Sequence, residues 1–278
     1  MIKVEDVTFR YTRSDEPVLN RINMTIDRGE YVGIVGPNGC GKTTLVHHLN
    51  ALLYPTGGRV SVDGMNTDDE SSVEEIRRRV GMVFQNPDNQ IVGMTVEEDV
   101  AFGPGNLELP SREIRRRVDE SLAAVGLKNH ATRLPHTLSG GEKRLVSIAG
   151  VLAMEPQYII FDEPTSYLDP SGRDRVLSII RGINEQGIAI IHITHNMDEI
   201  VDASTIVVMD EGRILFTGSP KEVFGRVERM KSLKLDIPVA TDLAWRLKQR
   251  GEDIRTDILT IDEACVEILG RLKNPPVS

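Results

Sequence analysis

The stretch Gly36-Pro37-Asn38-Gly39-Cys40-Gly41-Lys42-Thr43 constrains this chain more than any other. It fits G-x-x-x-x-G-K-[ST] in full, after the apolar run Tyr31–Val35 and before a helical pattern, which is the context the motif requires. Glycines let the backbone curl so that successive N–H groups point at phosphate oxygens, and the helix N-terminus adds partial positive charge. Lys42 would then reach the β- and γ-phosphates of a nucleotide, and the Thr43 hydroxyl would ligate Mg²⁺. A plain glycine-rich turn has no use for the Lys-Thr pair.

A metal at Thr43 needs a second anchor. Ile159-Ile160-Phe161-Asp162-Glu163 is an apolar strand running into two carboxylates. Asp162 would hold Mg²⁺ through water, a hard-oxygen arrangement suited to that ion. Glu163 would point the other way and could polarise the attacking water. The two motifs together define a nucleotide hydrolase.

The apolar pattern predicts the frame. Ile2, Val4 and Val7–Phe9 alternate loosely, Val18–Ile26 follows, and Tyr31–Val35 is a buried run. Arg59–Val62, Val80–Phe84, Tyr158–Phe161, Ala189–Ile193 and Thr205–Met209 read as further strands, with helical patterns between them. Such alternation predicts an α/β fold with a largely parallel sheet covered on both faces. From Gln85 to about Pro156 the pattern is mostly helical and reads as a subdomain inserted into a domain of residues 1–224. Ser72–Glu75 and Thr95–Glu98 read as capping boxes, the first opening a short basic helix. Beyond residue 225 or so, Val239, Ala240, Leu243, Ala244 and Leu247 form one helical stripe. Ile261, Ala264, Cys265, Ile268, Leu269 and Leu272 form another, with Thr260 and Glu263 as its capping box. This extension, 225–278, either packs on the main domain or serves dimerisation or regulation.

Composition narrows the classes. A net charge of −9 on 278 residues argues against a protein that works on the nucleic-acid backbone. Two cysteines, Cys40 and Cys265, supply neither a disulfide framework nor metal-ligand spacing. Apolar runs such as Ile188–Ile191 and Ile206–Met209 fall far short of the roughly 20 residues of a membrane span. No signal peptide is read at the N-terminus, so any membrane role is peripheral.

Leu138–Leu145 reads LSGGEKRL. Ser139 and Glu142 have the spacing of a capping box, and the same helix start, with Gly140 and Gly141, has the character of an anion site. The order of phosphate loop, Gln85, LSGGE, the Asp162-Glu163 strand and His195 resembles the nucleotide-binding domain of ATP-binding cassette (ABC) ATPases over residues 1 to about 224. The resemblance implies a P-loop NTPase fold, ATP and Mg²⁺ as cofactors, and ATP hydrolysis. It implies ATP binding by Gly36, Pro37, Asn38, Gly39, Cys40, Gly41, Lys42, Thr43 and Thr44, with Tyr11 stacking on adenine. Gln85 matches the Q-loop glutamine, a ligand of Mg²⁺ or water, and Glu163 and His195 match the catalytic carboxylate and switch histidine. Ser139, Gly140, Gly141 and Glu142 match the signature that reads ATP held by a second ATPase subunit, identical or related. Asp169 matches the D-loop aspartate, although Tyr167 stands where the family often has a small residue. Leu145 stands where the family usually has arginine, and Arg144 precedes it.

The runs Asn86–Gln90, Asp99–Pro104 and Asn106–Pro110 resemble the ATPase components of energy-coupling-factor (ECF) importers of vitamins or metal ions, including cobalt-type ones. That implies an integral membrane coupling subunit, a substrate-binding membrane subunit, no nucleic-acid partner and a place on the cytoplasmic face of the membrane. Ile91, Val92 and Met94 beside Glu97, Glu98 and Asp99 would form the groove for a partner's coupling helix. The alternative is a soluble cassette acting in DNA repair or translation. A third reading, a pseudo-ATPase scaffold, sits poorly with Glu163 and His195.

Overall fold

The N-terminal alternation produces a sheet of its own. β1 (Ile2–Phe9) buries Ile2, Val4, Val7 and Phe9 and pairs antiparallel with β2 (Leu19–Ile26). Its alternation slips at Asp6, whose φ of 51° marks a bulge where the pairing register shifts. In the computed structural model, which describes residues 1–12 and 16–273, side chains of 271–273 excepted, the next strand is β3 (Tyr31–Val35). It feeds α1 (Lys42–Leu49) and then β4 (Gly57–Val62) and β5 (Met65–Asn66). β4 returns to β1, giving a four-stranded antiparallel sheet in the order β2-β1-β4-β5.

The second sheet holds the parallel strands. After α2 (Val73–Arg79) come β6 (Val80–Val83) and the helices α3 (Val96–Asn106), α4 (Ser111–Ala124) and α5 (Gly140–Leu152). Then follow β7 (Tyr158–Asp162), α6 (Pro170–Glu185), β8 (Ala189–Ile193), β9 (Thr205–Asp210) and β10 (Arg213–Gly218). The six strands lie in the order β10-β9-β3-β8-β7-β6, with only β10 antiparallel.

Successive residues of the parallel strands enter opposite cores, as the pleat dictates. Ile159, Phe161 and Ile190 join a cluster with Leu145, Ile148 and Ile180 from the helices. Ile160, Ile191 and Ile34 join the other, with Leu45 and the apolar face of β1. Burial on both faces explains why these runs read as continuous apolar stretches.

Three expectations change. The chain's first two strands and Arg59–Val62 do not join the parallel sheet but pair antiparallel with one another, as suits strands with one buried face. β10 was not anticipated, since its half-exposed pattern gives a weak signal. The Ser72–Glu75 capping box does not form: Ser72 is in the right-handed helical region, and its hydroxyl donates to Asp69 Oδ2 at 2.9 Å. A nearer acceptor won. The boxes at Thr95–Glu98 and Thr260–Glu263 do form.

The C-terminal helices are α7 (Pro220–Phe224), α8 (Val227–Ser232), α9 (Val239–Gln249) and α10 (Ile261–Lys273). Ala240, Ala244, Ile254, Ile258 and Ala264 make a small core of their own, while Leu233, Leu235 and Trp245 pack on the main one. Val239, Leu243, Ile261 and Leu269 of the expected stripes are exposed. Leu272 lies outside the described side chains. Among the described residues no helix is long and apolar enough to cross a membrane.

Candidate nucleotide site

The loop after β3 follows a path that only glycine permits at two points. A Cβ on Gly36 would meet Met209 O at 2.3 Å, and Gly41 sits at φ 103° with Val18 O 2.8 Å from the same virtual atom. Gly39 also takes a positive φ. The curl that results encloses Lys42, whose Nζ donates to Gly36 O at 2.7 Å and Pro37 O at 2.9 Å. Cys40 is buried with its thiol pushed up by desolvation, and its backbone N–H donates to Pro37 O.

Thr43 faces the end of β7. Its hydroxyl donates to Asp162 Oδ2 at 3.0 Å. Asp162 is 5% exposed, and burial pushes its carboxyl above the ordinary range despite that hydrogen bond. Thr44 points the other way, with Oγ1 3.2 Å from the Tyr11 hydroxyl. Tyr11 stands edge-on to Phe9 and stays partly exposed beside the loop.

One residue beyond Asp162 the backbone turns into the left-handed region, with Glu163 at φ 49°. Such a conformation is costly for a non-glycine residue and concentrates at functional sites. The turn is fixed by Glu163 N–H donating to Ile193 O at 2.9 Å, and it aims the side chain at three others. His195 Nε2 lies 2.8 Å from Glu163 Oε1. Gln85 Nε2 donates to Oε2 at 2.7 Å, and Ser166 Oγ donates to the same oxygen at 3.0 Å. Gln85, Glu163 and His195, widely separated in sequence, meet at the carboxyl ends of adjacent strands, where open α/β sheets place their ligands.

The LSGGE helix start forms as read. Ser139 caps α5, its hydroxyl accepting from Glu142 N–H at 3.2 Å while Glu142 Oε2 accepts from Ser139 N–H at 2.8 Å. Those hydrogen bonds, the backbone one first, hold the Glu142 carboxyl below its usual range. Gly140 and Gly141 form the first turn. Among the described residues no hydrogen bond joins Ser139, Gly140 or Gly141 to the Gly36–Thr44 loop. Asp169 caps α6, accepting from Gly172 N–H at 2.9 Å. Beside it Tyr167, at φ 65°, is 96% exposed.

Arg144, to which the sequence assigns no role, is part of the site. It is 1% exposed, and its guanidinium donates to the carbonyls of Phe84 and Gln85, so it grips the backbone that presents the Gln85 side chain. Burial pulls its pKa down to about 10. The signal was its place on α5, four residues before buried Ile148: a charge on the core stripe. Leu145, by contrast, is a core residue.

The expected groove needs correcting. Asp99 is buried, and its Oδ1 accepts from Val92 N–H at 2.7 Å and Gly93 N–H at 2.9 Å. Glu97 pairs with Arg115 at 2.7 Å, and Glu98 closes its capping box. These carboxylates shape the loop, and none of the three stands as a free acid. Val92, Met94 and Phe102 remain exposed, and Val92 and Phe102 line a groove together with Leu52, Phe84 and Met154.

A phosphate loop, a strand-end carboxylate pair, a glutamine and a histidine gathered on the second carboxylate, and a separately capped serine-glycine helix define an ATPase of the ATP-binding cassette class. Residues 19–166 match the family described as ABC transporter, and the chain belongs to it. Its activity is ATP hydrolysis. It is 58% identical over 275 residues to the cobalt import ATP-binding protein CbiO of Syntrophus aciditrophicus, covering 99% of this chain and 98% of that one. It is 51% identical over 278 residues to the energy-coupling factor transporter ATP-binding protein EcfA1 of Clostridium perfringens, covering 98% and 99%. Among solved structures it resembles cbiO1 from Clostridium perfringens, described as part of the ABC transporter complex cbiONQ. The TM-score is 0.77 at 39% identity, over 90% of this chain and 96% of that one. It also resembles the dimeric post-hydrolysis cassette MJ0796 bound to ADP and Pi, with a TM-score of 0.71 at 31% identity, over 79% and 98%.

Proposed function

We propose that this chain is the ATP-hydrolysing subunit of an ECF or cobalt-type importer, working at the cytoplasmic face of the membrane. The observation that carries the chemistry is the convergence of Gln85 and His195 on Glu163, beside the Thr43–Asp162 pair. The near-full-length similarity to CbiO and EcfA1 supports the transport assignment.

In this reading Gly36–Thr44 holds the phosphates, with Lys42 moving its ammonium from loop carbonyls to phosphate oxygens, and Tyr11 faces the base. Glu163 orients and polarises the attacking water, and His195 holds the carboxylate and senses the γ-phosphate. Hard oxygens on Thr43, Asp162 and Gln85 are the donor set Mg²⁺ prefers, and a buried carboxyl pushed up by desolvation is one that a cation would relieve. Bound there, Mg²⁺ would neutralise charge on the phosphates.

Ser139, Gly140, Gly141 and Glu142 form an anion-reading helix start without a hydrogen bond to the chain's own loop, which supports a head-to-tail pair with a second ATPase subunit. Residues 1–224 form the ATPase domain, with 85–156 as its helical part, and 225–278 the appendage. The groove lined by Val92 and Phe102, with exposed Met94 two residues along the chain from Val92, is the surface for the membrane subunit, with a substrate-binding membrane subunit beyond it and no nucleic acid involved.

The test is isolation of the chain from its own cells in detergent. The reading expects an integral membrane protein and a second ATPase copy or relative to travel with it, and MgATP hydrolysis in the isolated complex. Recovery with ribosomes or DNA and no membrane protein would sink it.

A further inference from the structure

Behind the Glu163–His195 pair lies a carboxylate that none of the motifs includes. Glu199 sits in the short 3-10 turn Met197–Ile200, and its side chain is 2% exposed. Oε1 accepts from Thr165 Oγ1 at 2.7 Å, and Oε2 accepts from Thr194 Oγ1 at 2.7 Å. Arg173 Nε lies 3.6 Å from Oε1, and His192 Nε2 lies 3.7 Å from Oε2. The Glu199 backbone carbonyl accepts from the Tyr31 hydroxyl at 3.4 Å.

The two threonines explain the placement. Thr165 is two residues past Glu163, and Thr194 immediately precedes His195. The β7–β8 ladder reaches only the pairing of Asp162 with Ile193. After Glu163 N–H donates to Ile193 O the two chains part, and Glu163 and His195 project from segments no longer held by the sheet. The Glu199 carboxylate bridges those segments just below their functional side chains. Thr194 extends the bridge: its hydroxyl also accepts from Asn196 N–H at 3.0 Å, fixing the backbone on the far side of His195. Arg173 brings in α6, whose first residues follow the loop of Ser166–Asp169.

Stability alone does not account for a carboxylate here. Burying one carries a large desolvation penalty, and a well-packed neutral group of the same volume is often no worse for folding. What an amide of the same shape lacks is a second acceptor, since only a carboxylate offers both oxygens to two donating hydroxyls. We propose that Glu199 is a positioning residue for ATP hydrolysis, holding the Glu163 and His195 segments in register through Thr165 and Thr194. The proposal rests on the reading of Glu163 and His195 given above. Glu199 itself reaches no reacting atom; it acts through the segments that carry those two residues.

The experiment measures steady-state MgATP hydrolysis, ATP affinity and Tm on the intact ATPase assembly, for Glu199→Gln, Thr194→Val, Thr194→Ser and the Glu199→Gln/Thr194→Val double variant. A displacement of about 1 Å at a reacting pair lowers turnover by up to about 100-fold, so Glu199→Gln is expected to lose roughly 10- to 100-fold in kcat. KM and ATP affinity are expected to stay within about 2-fold, since a loss confined to the chemical step leaves binding alone. Thr194→Val is expected to lose rate similarly, Thr194→Ser to recover most of it, and the double variant to be no slower than the worse single one. Wild-type kcat in Glu199→Gln, full additivity in the double variant, or losses that track Tm across the set would overturn the proposal. If Glu199→Gln does not fold, the Val and Ser variants of Thr194 decide, and equal rates in those two would overturn it. Glu163→Gln is run alongside: undiminished turnover there rejects the reading of Glu163 and the proposal with it, whereas a loss there beside wild-type kcat in Glu199→Gln rejects the proposal alone.

Discussion

His195 Nε2 stands 2.8 Å from Glu163 Oε1, each at the end of a different parallel strand, while Gln85 Nε2 occupies the other carboxylate oxygen at 2.7 Å. A carboxylate held from both sides is pre-aimed, and what Glu163→Gln removes is the negative charge that, in the proposed reading, polarises water. That substitution is expected to preserve ATP binding and to lower turnover by about 10²- to 10⁴-fold, the range for a general base. With ATP uncleaved, the closed pair of subunits should accumulate, visible as a shift in mass in solution on adding ATP. Near-normal hydrolysis would remove Glu163 from the catalytic role.

Asp162 gives a prediction in which stability and activity move apart. Its carboxyl is pushed up by burial, so without a bound cation its contribution to stability is full below the unfolded value and is lost as pH rises through the folded one. Ionising Asp162 in the nucleotide-free protein is therefore unfavourable. Asp162→Asn keeps an acceptor for the Thr43 hydroxyl and removes that charge. Its Tm without nucleotide is expected to rise by on the order of 2 °C, while Mg²⁺-dependent turnover collapses. Calorimetry with and without MgATP, beside an ATPase assay, checks both halves, and a lower Tm in the variant would contradict the desolvation argument.

The same locality explains what the sequence made visible. The Gly36–Thr43 loop, the Asp162-Glu163 strand end and the Ser139 cap are short-range patterns whose chemistry is complete within a few residues, so they read directly. The roles of Arg144 and Glu199 are not legible because their partners lie on other elements: Phe84 and Gln85 for the first, Thr165 and Thr194 for the second. Asp99 and Ser72 were misread for one reason. A short polar side chain takes the nearest free backbone or side-chain partner, and spacing alone does not say which one is nearest. The antiparallel sheet escaped because alternation in β1 identifies a strand without naming its neighbour.

His192 sets an acid limit on the fold. It is fully buried, and desolvation pulls its pKa down to about 3. A folded value below the unfolded one means its contribution is complete above pH 6.5 or so and is lost as pH falls toward 3. Each pH unit in that window removes up to about 1.4 kcal/mol. His192→Gln keeps a polar partner for the Tyr31 hydroxyl, which lies 2.9 Å from His192 Nδ1. Its Tm should fall less steeply than wild type between pH 6.5 and 4.5, and parallel curves would assign the acid sensitivity elsewhere.

The last prediction concerns the outer surface. Phe102 is 57% exposed on α3, and it shares a shallow groove with Leu52, Phe84, Val92 and Met154. An aromatic ring left in water at a groove is unfavourable for the isolated chain and favourable for a partner that covers it. The nearby acids are occupied: Asp99 by backbone N–H groups, Glu97 by Arg115, Glu98 by its own helix start. If the proposed membrane subunit docks here, apolar contact would drive its recognition, with charge pairing secondary. Phe102→Glu puts a carboxylate where the partner's apolar helix would sit, and loss of a hot-spot ring costs about 2 kcal/mol or more, a fall of roughly 30-fold in affinity. The substitution touches neither the phosphate loop nor Glu163, so ATP affinity and Tm serve as fold controls. Co-purification with the membrane subunit should fail while both controls hold, and undiminished co-purification would place the docking surface on another face.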